Sequence, residues 1–355
     1  MTIPFSVLDL APLPESGSGA EAMRNTIRLA RAVEEMGYSR FWIAEHHNFR
    51  GLAGVAPEVL ISAVAQNTRT IRVGSGGVLV PNYAPLKVAE LFRTLEGLTP
   101  GRIDAGLGRA PNMDPRTVLA LRGSNGDPKA ADDIARILLE VESFGQVIPT
   151  VYAADHPLYD VIASPEGVTF PPIFLLGSGQ MSARIAAERG RGYAAAYFFS
   201  PDESASSIRA YKESFVPSPH FARPHAILTV GVICAPTDTQ AEDLGTLYTY
   251  TNLRRAKGLP IGAPSINEAR SYQYNEEEWE KVRRMQPIVG SPATIVDKLN
   301  ELVAQTGADE LMITTSISNL DQRMISYELI ADAFDVGNFR IAAAAHADQQ
   351  PLYPI

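Results

Sequence analysis

Short apolar runs rich in β-branched and aromatic residues alternate with longer amphipathic segments along most of the chain. Such runs predict β-strands, and apolar residues recurring every three or four positions predict helices. The predicted strands cover residues 5–8, 40–44, 71–76, 103–107, 173–176, 193–197, 226–235 and 310–314.

The helical pattern is clearest in residues 20–36, where Ile27, Ala30, Val33 and Met36 share one face and Gly37 follows as a C-cap. Residues 86–98, 182–189 and 292–306 show a similar pattern. Strands and helices alternating in one uninterrupted series predict a closed parallel (β/α)8 TIM barrel. A doubly wound open sheet is the alternative, but no glycine-rich phosphate fingerprint follows the first strand.

Two weakly periodic stretches containing proline and tyrosine, residues 145–172 and 258–287, interrupt the alternation. We interpret them as insertions in a single barrel domain spanning residues 1–340, which a C-terminal tail of residues 341–355 follows. Insertions of this length often serve as active-site lids, and a role in packing or subunit contact is the alternative.

Composition narrows the class of protein. With 45% hydrophobic residues, 20% charged residues and a net charge of -9, the chain is typical of a globular protein and not of a nucleic-acid binder. The single cysteine, Cys234, lies in an apolar run and predicts a buried thiol. No apolar stretch is long enough to span a bilayer, and the first residues lack a basic signal-peptide region. We therefore expect a cytoplasmic protein.

Candidate site residues follow from the rule that barrel active sites form at the C-terminal ends of the strands. Glu45, His46 and His47 follow the second strand, but consecutive residues there point in opposite directions, so at most two could easily share a metal ion. We therefore predict no metal site. A histidine with a pKa near neutrality, acting as a base or hydrogen-bonding group, fits better. A purely structural histidine in the barrel mouth is the alternative.

The fifth strand is followed by Gly177, Ser178 and Gly179, with Ser182 in the helix beyond. Backbone N–H groups at a helix N-terminus, together with hydroxyls, suit a phosphate, although any strand-to-helix turn favours glycine and serine. Arg109, after the neighbouring strand, would add a fixed positive charge.

The runs FWIAEHHN and IRVGSGGVLVPNYAPLKVAELFRTLEGLTPGRIDAGLGRAP resemble the bacterial luciferase-like, flavin-dependent monooxygenases. The segment VGSPATIVDKLNELVAQTGADELMITTS resembles the closing βα unit of the same family. The likeness extends over most of the chain in the same order and is weakest in the two insertions.

The resemblance implies a catalytic role for His46, as a base or as an organiser of the oxygen-activating site, with Glu45 beside it. It also implies that Gly76 and Gly77 are joined by a non-prolyl cis peptide facing a flavin ring. Gly108 and Arg109 match positions that meet the flavin and its phosphate.

In the same way, Gly177, Ser178 and Ser182 match the family's phosphate-binding turn. Two positions depart from the family pattern: Tyr83 and Phe198 stand where relatives often carry histidine. With His47, they belong to the expected substrate side. We therefore expect a bulkier, less polar or aromatic-stacking substrate than that of a typical relative.

The activity that the resemblance implies is oxidation of an organic small molecule by O2 and reduced FMN. A separate flavin reductase would act as a transient partner, because the chain has no nicotinamide-binding fingerprint. The family also suggests a homodimer. A deazaflavin-dependent dehydrogenase on the same barrel, a non-catalytic flavin-binding protein and a metal hydrolase are the alternatives.

Overall fold

The computed structural model describes residues 3–14, 17–109, 114–123, 133–257, 259, 264–283, 286–315 and 317–337. The expected C-terminal tail, residues 341–355, lies outside the described residues. The strands are β1 (Phe5–Asp9), β2 (Arg40–Ile43), β3 (Arg72–Ser75), β4 (Val78–Leu79), β5 (Ile103–Gly108), β6 (Ile173–Gly177), β7 (Gly192–Ala196), β8 (Ala226–Cys234), β9 (Ile288–Gly290) and β10 (Glu310–Thr314).

The helices are α1 (Gly19–Glu35), α2 (Pro57–Asn67), α3 (Pro85–Leu98), α4 (Pro115–Arg122), α5 (Ile134–Phe144), α6 (Gln180–Glu188), α7 (Pro201–Glu213), α8 (Asp238–Ala256), α9 (Ile266–Ser271), α10 (Glu276–Arg283), α11 (Pro292–Thr306) and α12 (Leu320–Phe334), with a 3-10 turn at Val80–Asn82. Within the described ranges, no helix is long and apolar enough to cross a membrane.

Parallel pairing closes the sheet into a barrel. The pairing runs from β1 through β2, β3, β5, β6, β7 and β8 to β10, and β10 also pairs with β1. The predicted (β/α)8 barrel is therefore confirmed, and the predicted bounds of its eight strands agree with the structure to within one residue. The short strands β4 and β9, which pair beside β5 and β8, were not predicted.

The ends of α1 show why local sequence specifies the helices. The helix begins after Ser18, whose hydroxyl accepts a hydrogen bond from the backbone N–H of Glu21. Gly37, with φ +94°, follows its end. A Cβ atom on Gly37 would lie 2.5 Å from Cα of Gly337, so this position needs glycine both for its backbone conformation and for the close approach of the chain after α12.

Apolar side chains form two cores. The larger lies between the barrel and its surrounding helices. The smaller lies inside the barrel, and we call it the lumen cluster. Its buried members are Leu8, Trp42, Ala44, Phe174, Ala194, Phe221, Ile227 and Met312.

Beneath the lumen cluster, at the N-terminal end of the strands, polar side chains pair with one another, and Arg40, Asp104 and Glu310 among them are buried. The Arg40 guanidinium lies 2.8 Å from Asp104 and 3.1 Å from Glu310, and Arg72 lies 2.6 Å from Asp104. His225 Nε2 lies 2.8 Å from the Glu310 carboxylate. We call these five residues the ion layer. It lies at the bottom of the barrel, opposite the C-terminal end, where barrel active sites form.

The two predicted insertions attach to opposite ends of the barrel. Residues 145–172 join the end of α5 to the start of β6, and they bury Ala163 and Phe170 in the larger core. The Arg93 side chain donates to the backbone oxygen of Ala163 and to Gln146 Oε1. Residues 264–283, the main described part of the second insertion, carry α9 and α10 between α8 and β9. Because β9 pairs with the last residues of β8, this insertion attaches at the C-terminal end of the barrel.

Candidate active site

The C-terminal mouth of the barrel brings together most of the residues predicted from the strand ends. Inward-facing residues of neighbouring strands share a register, as Leu8, Trp42 and Gly74 do. In β2 this inward series is Arg40, Trp42 and Ala44, and His46 continues it beyond the strand.

His46 is largely buried and only partly satisfied. Its backbone N–H donates to the oxygen of Gly54 at 2.7 Å, which holds the loop after β2. Its Nδ1 atom is shielded from solvent and has no hydrogen-bond partner among the described residues. Its ring lies 5.9 Å from that of Phe49.

Burial, followed by the nearby charge of His47, lowers the pKa of His46 to about 4. The expectation of a pKa near neutrality is therefore wrong. The sequence shows a histidine at a strand end but not how completely the fold removes water from its ring. At pH 7 the imidazole is neutral and offers one donor and one acceptor nitrogen.

Glu45 contacts His47 and not His46. One oxygen of its buried carboxylate lies 2.6 Å from His47 Nε2 and accepts a hydrogen bond from the Tyr83 hydroxyl at 3.0 Å. The other accepts from the backbone N–H of Leu79 at 2.9 Å. Glu45 thus joins β2, β4 and the loop after β4. Burial, and then the charge of Glu45, raise the pKa of Tyr83.

The peptide bond between Gly76 and Gly77 is cis, as the resemblance implies. A Cβ atom on Gly76 would lie 2.3 Å from Leu8 Cδ1, and one on Gly77 would lie 2.7 Å from the backbone oxygen of Gly106. No larger residue fits at either position without displacing a neighbour. Gly76 is part-buried and Gly77 is buried.

The turn after β6 and the end of β5 meet, as predicted. Helix α6 begins after Gly179 with no side chain capping its N-terminus. Arg109 Nη1 lies 3.8 Å from Met181 Sδ in the first turn of that helix. A Cβ atom on Gly177 would lie 2.3 Å from Ser182 Oγ, so glycine is required for the turn to pack against the helix.

One acidic side chain also approaches this turn. Glu203, in the first turn of α7, lies so close to Gly179 that a Cβ atom there would be 2.9 Å from its Oε2. Free N–H groups and a guanidinium attract an anion, and the Glu203 carboxylate repels one. The turn therefore has the hydrogen-bond donors of a phosphate site, but the nearby Glu203 carboxylate would weaken phosphate binding.

The remaining predicted substrate-side residue, Phe198, packs against the lumen cluster and lies 4.5 Å from the Phe199 ring. Phe199 and Phe49 are 59% and 49% exposed, so large apolar side chains reach solvent after both β2 and β7. Tyr83 differs, because it packs against the larger core and its hydroxyl contacts Glu45. The sequence predicts that Tyr83 and Phe198 both lie on the substrate side, but the structure places them against different cores.

Two polar residues near the mouth were not predicted. Glu58, at the start of α2, has a buried Oε2 without a partner among the described residues. Burial raises the pKa of Glu58, and repulsion from Glu45 adds to this effect, although a hydrogen bond from its own backbone N–H opposes it. Thr314, at the end of β10, has a buried and equally unpartnered hydroxyl. The alternation of ELMIT could have indicated the inward direction of Thr314, but not the missing partner.

No group of three or more His, Cys, Asp or Glu side chains in the described ranges is arranged to hold a metal ion. A surface cleft of about 990 Å³ lies along α10, lined by Asn275, Glu276, Glu277, Glu280 and Lys281. It involves none of the residues at the barrel mouth.

Comparison with known proteins identifies relatives that span nearly the whole chain. The family model described as luciferase-like monooxygenase matches residues 3–310. A luciferase-like monooxygenase of Escherichia coli is 38% identical, over 93% of this chain and 97% of its own. The N-acetyl-S-alkylcysteine monooxygenase of Bacillus subtilis is 32% identical, over 93% of this chain and 98% of its own.

Among solved structures, apo-MsnO8 aligns with a TM-score of 0.83 at 35% identity, covering 94% of this chain and 98% of that one. More distant structures share the fold alone. One is the oxygenating constituent of 3,6-diketocamphane monooxygenase from Pseudomonas putida in complex with FMN, with a TM-score of 0.68, 20% identity and coverage of 93% and 97%. Another is the coenzyme F420-dependent tetrahydromethanopterin reductase from Methanopyrus kandleri, with a TM-score of 0.60, 16% identity and coverage of 94% and 98%.

Proposed function

Because the chain belongs to the luciferase-like monooxygenase family, we propose that it is a monooxygenase whose cofactor is reduced FMN, bound at the C-terminal mouth of the barrel. The observation that carries the proposal is that one end of the barrel holds both an anion-attracting turn and the unpartnered imidazole of His46. A separate reductase as the source of the reduced cofactor stays a prediction, as does a homodimer.

The residues present fit this cofactor. The free N–H groups at the start of α6, with Arg109 beside them, suit a phosphate. Gly76 is only part-buried and carries no side chain, which suits the close approach of a flat ring. Gly108 ends β5 beside Arg109, and a Cβ atom there would make only ordinary van der Waals contact, 3.7 Å from Leu79 Cδ2.

When bound, reduced FMN supplies the two electrons of the reaction. Monooxygenation then consumes O2, two electrons and two protons: one oxygen atom enters the substrate and the other leaves as water. His46, neutral at pH 7, presents Nδ1 as a hydrogen-bond partner in a site with little water. Glu45 acts as a positioning residue, because it holds His47, Tyr83 and the backbone of β4 in place.

Two opposite charge changes test the phosphate site. Arg109→Gln should weaken FMN binding about tenfold, because one charge-assisted contact is lost. Glu203→Gln should leave FMN binding unchanged or tighten it, because a repulsive carboxylate is removed. Riboflavin, which lacks the phosphate, should bind both variants like the unmodified protein. Fluorescence titrations with both flavins measure this, and equal losses for FMN and riboflavin would show that Arg109 does not contact the phosphate.

The choice between a monooxygenase and a dehydrogenase depends on the cofactor. We expect the protein to bind FMN more tightly than the deazaflavin, and to alter the rate at which reduced FMN is reoxidised by O2 in stopped-flow absorbance. His46→Gln should keep the affinity for FMN and abolish most of that change in rate. Preferential binding of the deazaflavin would reject the proposed function.

A further inference from the structure

Thr314 presents a hydroxyl that no other described group satisfies. Thr314 ends β10 and pairs with Gly231, and it continues the inward series of Glu310 in the ion layer and Met312 in the lumen cluster. Its Oγ1 is shielded from solvent and has no hydrogen-bond partner among the described residues. An unsatisfied buried hydroxyl lowers stability, so its retention in a lumen points to a ligand.

The inward positions around Thr314 are apolar or uncharged. Leu8 and Met312 belong to the lumen cluster, and Phe198 packs against it. Thr229, on β8, pairs with Met312 of β10. The nearest charges below are those of the ion layer, which are paired with one another. Arg109 lies on the other side of the mouth, beside α6. A carboxylate in this sector would therefore lose its hydration without gaining a cation among the described residues.

We propose that this sector, formed by β7, β8, β10 and β1, binds the substrate, and that the substrate is uncharged and largely apolar. It carries a carbonyl or hydroxyl oxygen that hydrogen-bonds to Thr314 Oγ1. This inference rests on the proposed function and names the substrate class of the same site. Thr314 is thus a specificity-determining residue. His46 lies nearer the mouth, because it follows Trp42, which pairs with Leu8, by four residues.

A pair of probes that differ only in charge tests the substrate class. N-acetyl-S-benzylcysteine carries a carboxylate, and its methyl ester keeps the same carbonyl and apolar groups without the charge. We expect calorimetric titration to show that the ester binds at least about tenfold more tightly than the acid. Equal or tighter binding of the acid, or no binding of the ester, would overturn the proposal.

Two neighbouring threonines provide a matched test of the hydroxyl. Thr314→Val should weaken binding of the ester about tenfold. Its melting temperature should be unchanged or higher, because the substitution removes an unpartnered hydroxyl. Thr315→Val should lower the melting temperature, because the Thr315 hydroxyl donates to the backbone oxygen of Val232 at 2.7 Å, and leave ester binding unchanged. Equal ester binding by Thr314→Val and the unmodified protein would show that Thr314 has no such role.

Titrations with and without FMN test the proposed function and the proposed substrate class separately. Failure of FMN to bind would count against the proposed function, while the comparison of ester and acid in the FMN-free protein still tests the sector around Thr314. Normal FMN binding without a preference for the ester would reject the substrate class alone.

Discussion

At the scale of single residues, His46 and Thr314 share a property: each holds a polar side-chain atom that is buried and has no partner among the described residues. Most buried polar groups in proteins are hydrogen-bonded, because desolvation without a partner costs about 1–3 kcal/mol. Glu45 shows the contrary arrangement, since both of its oxygens are in contact with donors. Among the described residues near the mouth, the unpartnered buried atoms therefore belong to His46, Glu58 and Thr314 and not to Glu45.

The lowered pKa of His46 predicts how stability depends on pH. Between pH 6.5 and about 4 the unfolded chain binds a proton at this residue and the folded chain does not, so acid favours unfolding. As pH falls across that window, the free energy of unfolding of the unmodified protein should decrease by up to about 3 kcal/mol more than that of His46→Gln. Urea denaturation at pH 7, 5.5 and 4 measures the difference, and parallel curves for the two proteins would contradict the buried, neutral state.

At the scale of elements, glycine recurs in the paired strands β3 and β5 and directly after β3. Gly74 pairs with Asp104, Gly76 follows the end of β3, and Gly106 and Gly108 lie in β5. A Cβ atom on Gly106 would lie 1.8 Å from the backbone oxygen of Ser75. A Cβ atom on Gly108, in contrast, would make only ordinary van der Waals contact, 3.7 Å from Leu79 Cδ2. Close backbone approach therefore explains Gly106, and the proposed flavin site explains Gly108.

These two glycines lead to opposite predictions. Gly106→Ala should destabilise the protein by about 3 kcal/mol, because the new methyl group forces β3 and β5 apart. Gly108→Ala should leave the melting temperature nearly unchanged and weaken FMN binding, because the methyl group would occupy space needed by the flavin. Thermal denaturation and FMN titration of both variants measure this. Unaltered FMN binding by Gly108→Ala would remove this residue from the proposed site.

At the scale of the whole molecule, the ion layer lies at the bottom of the barrel, opposite the mouth that carries the proposed site. Although burial opposes ionisation, Arg40 and contacts from His225 and Ser6 lower the pKa of Glu310 to about 2. The carboxylate is thus ionised throughout the neutral range, and it joins β10 to Arg40 of β2 and to His225, just before β8. All of the predicted site residues lie at or beyond the opposite ends of the strands.

Glu310→Gln should therefore lower the free energy of unfolding by about 3 kcal/mol at pH 7, because it removes one partner from a buried ion pair. The stabilisation by the Glu310 carboxylate is present above pH 4.5 and is lost as pH falls towards 2, so the two proteins should converge in acid. Glu277→Gln is the matched control, because its pair with Lys281 is exposed. Equal effects of the two substitutions in urea denaturation would contradict this role of the ion layer.

The sequence by itself determined the barrel and the composition of its mouth. Strand and helix periodicity depends on local alternation of apolar residues, which is why the eight barrel strands were predicted to within one residue. The rule that barrel sites form at strand ends predicted that His46, Arg109 and the turn after β6 lie at the mouth, and the family resemblance added Gly76 and Gly77.

Only the tertiary structure decided which of these groups contact one another and which remain free. Glu45 and His46 are adjacent in sequence, yet Glu45 contacts His47 and Tyr83, because neighbouring residues at a strand end point in different directions. Burial of His46, the pairing of the ion layer and the unpartnered hydroxyl of Thr314 depend on packing between residues distant in sequence. Periodicity shows which way such side chains face, but hydration and hydrogen-bond partners are properties of the closed barrel.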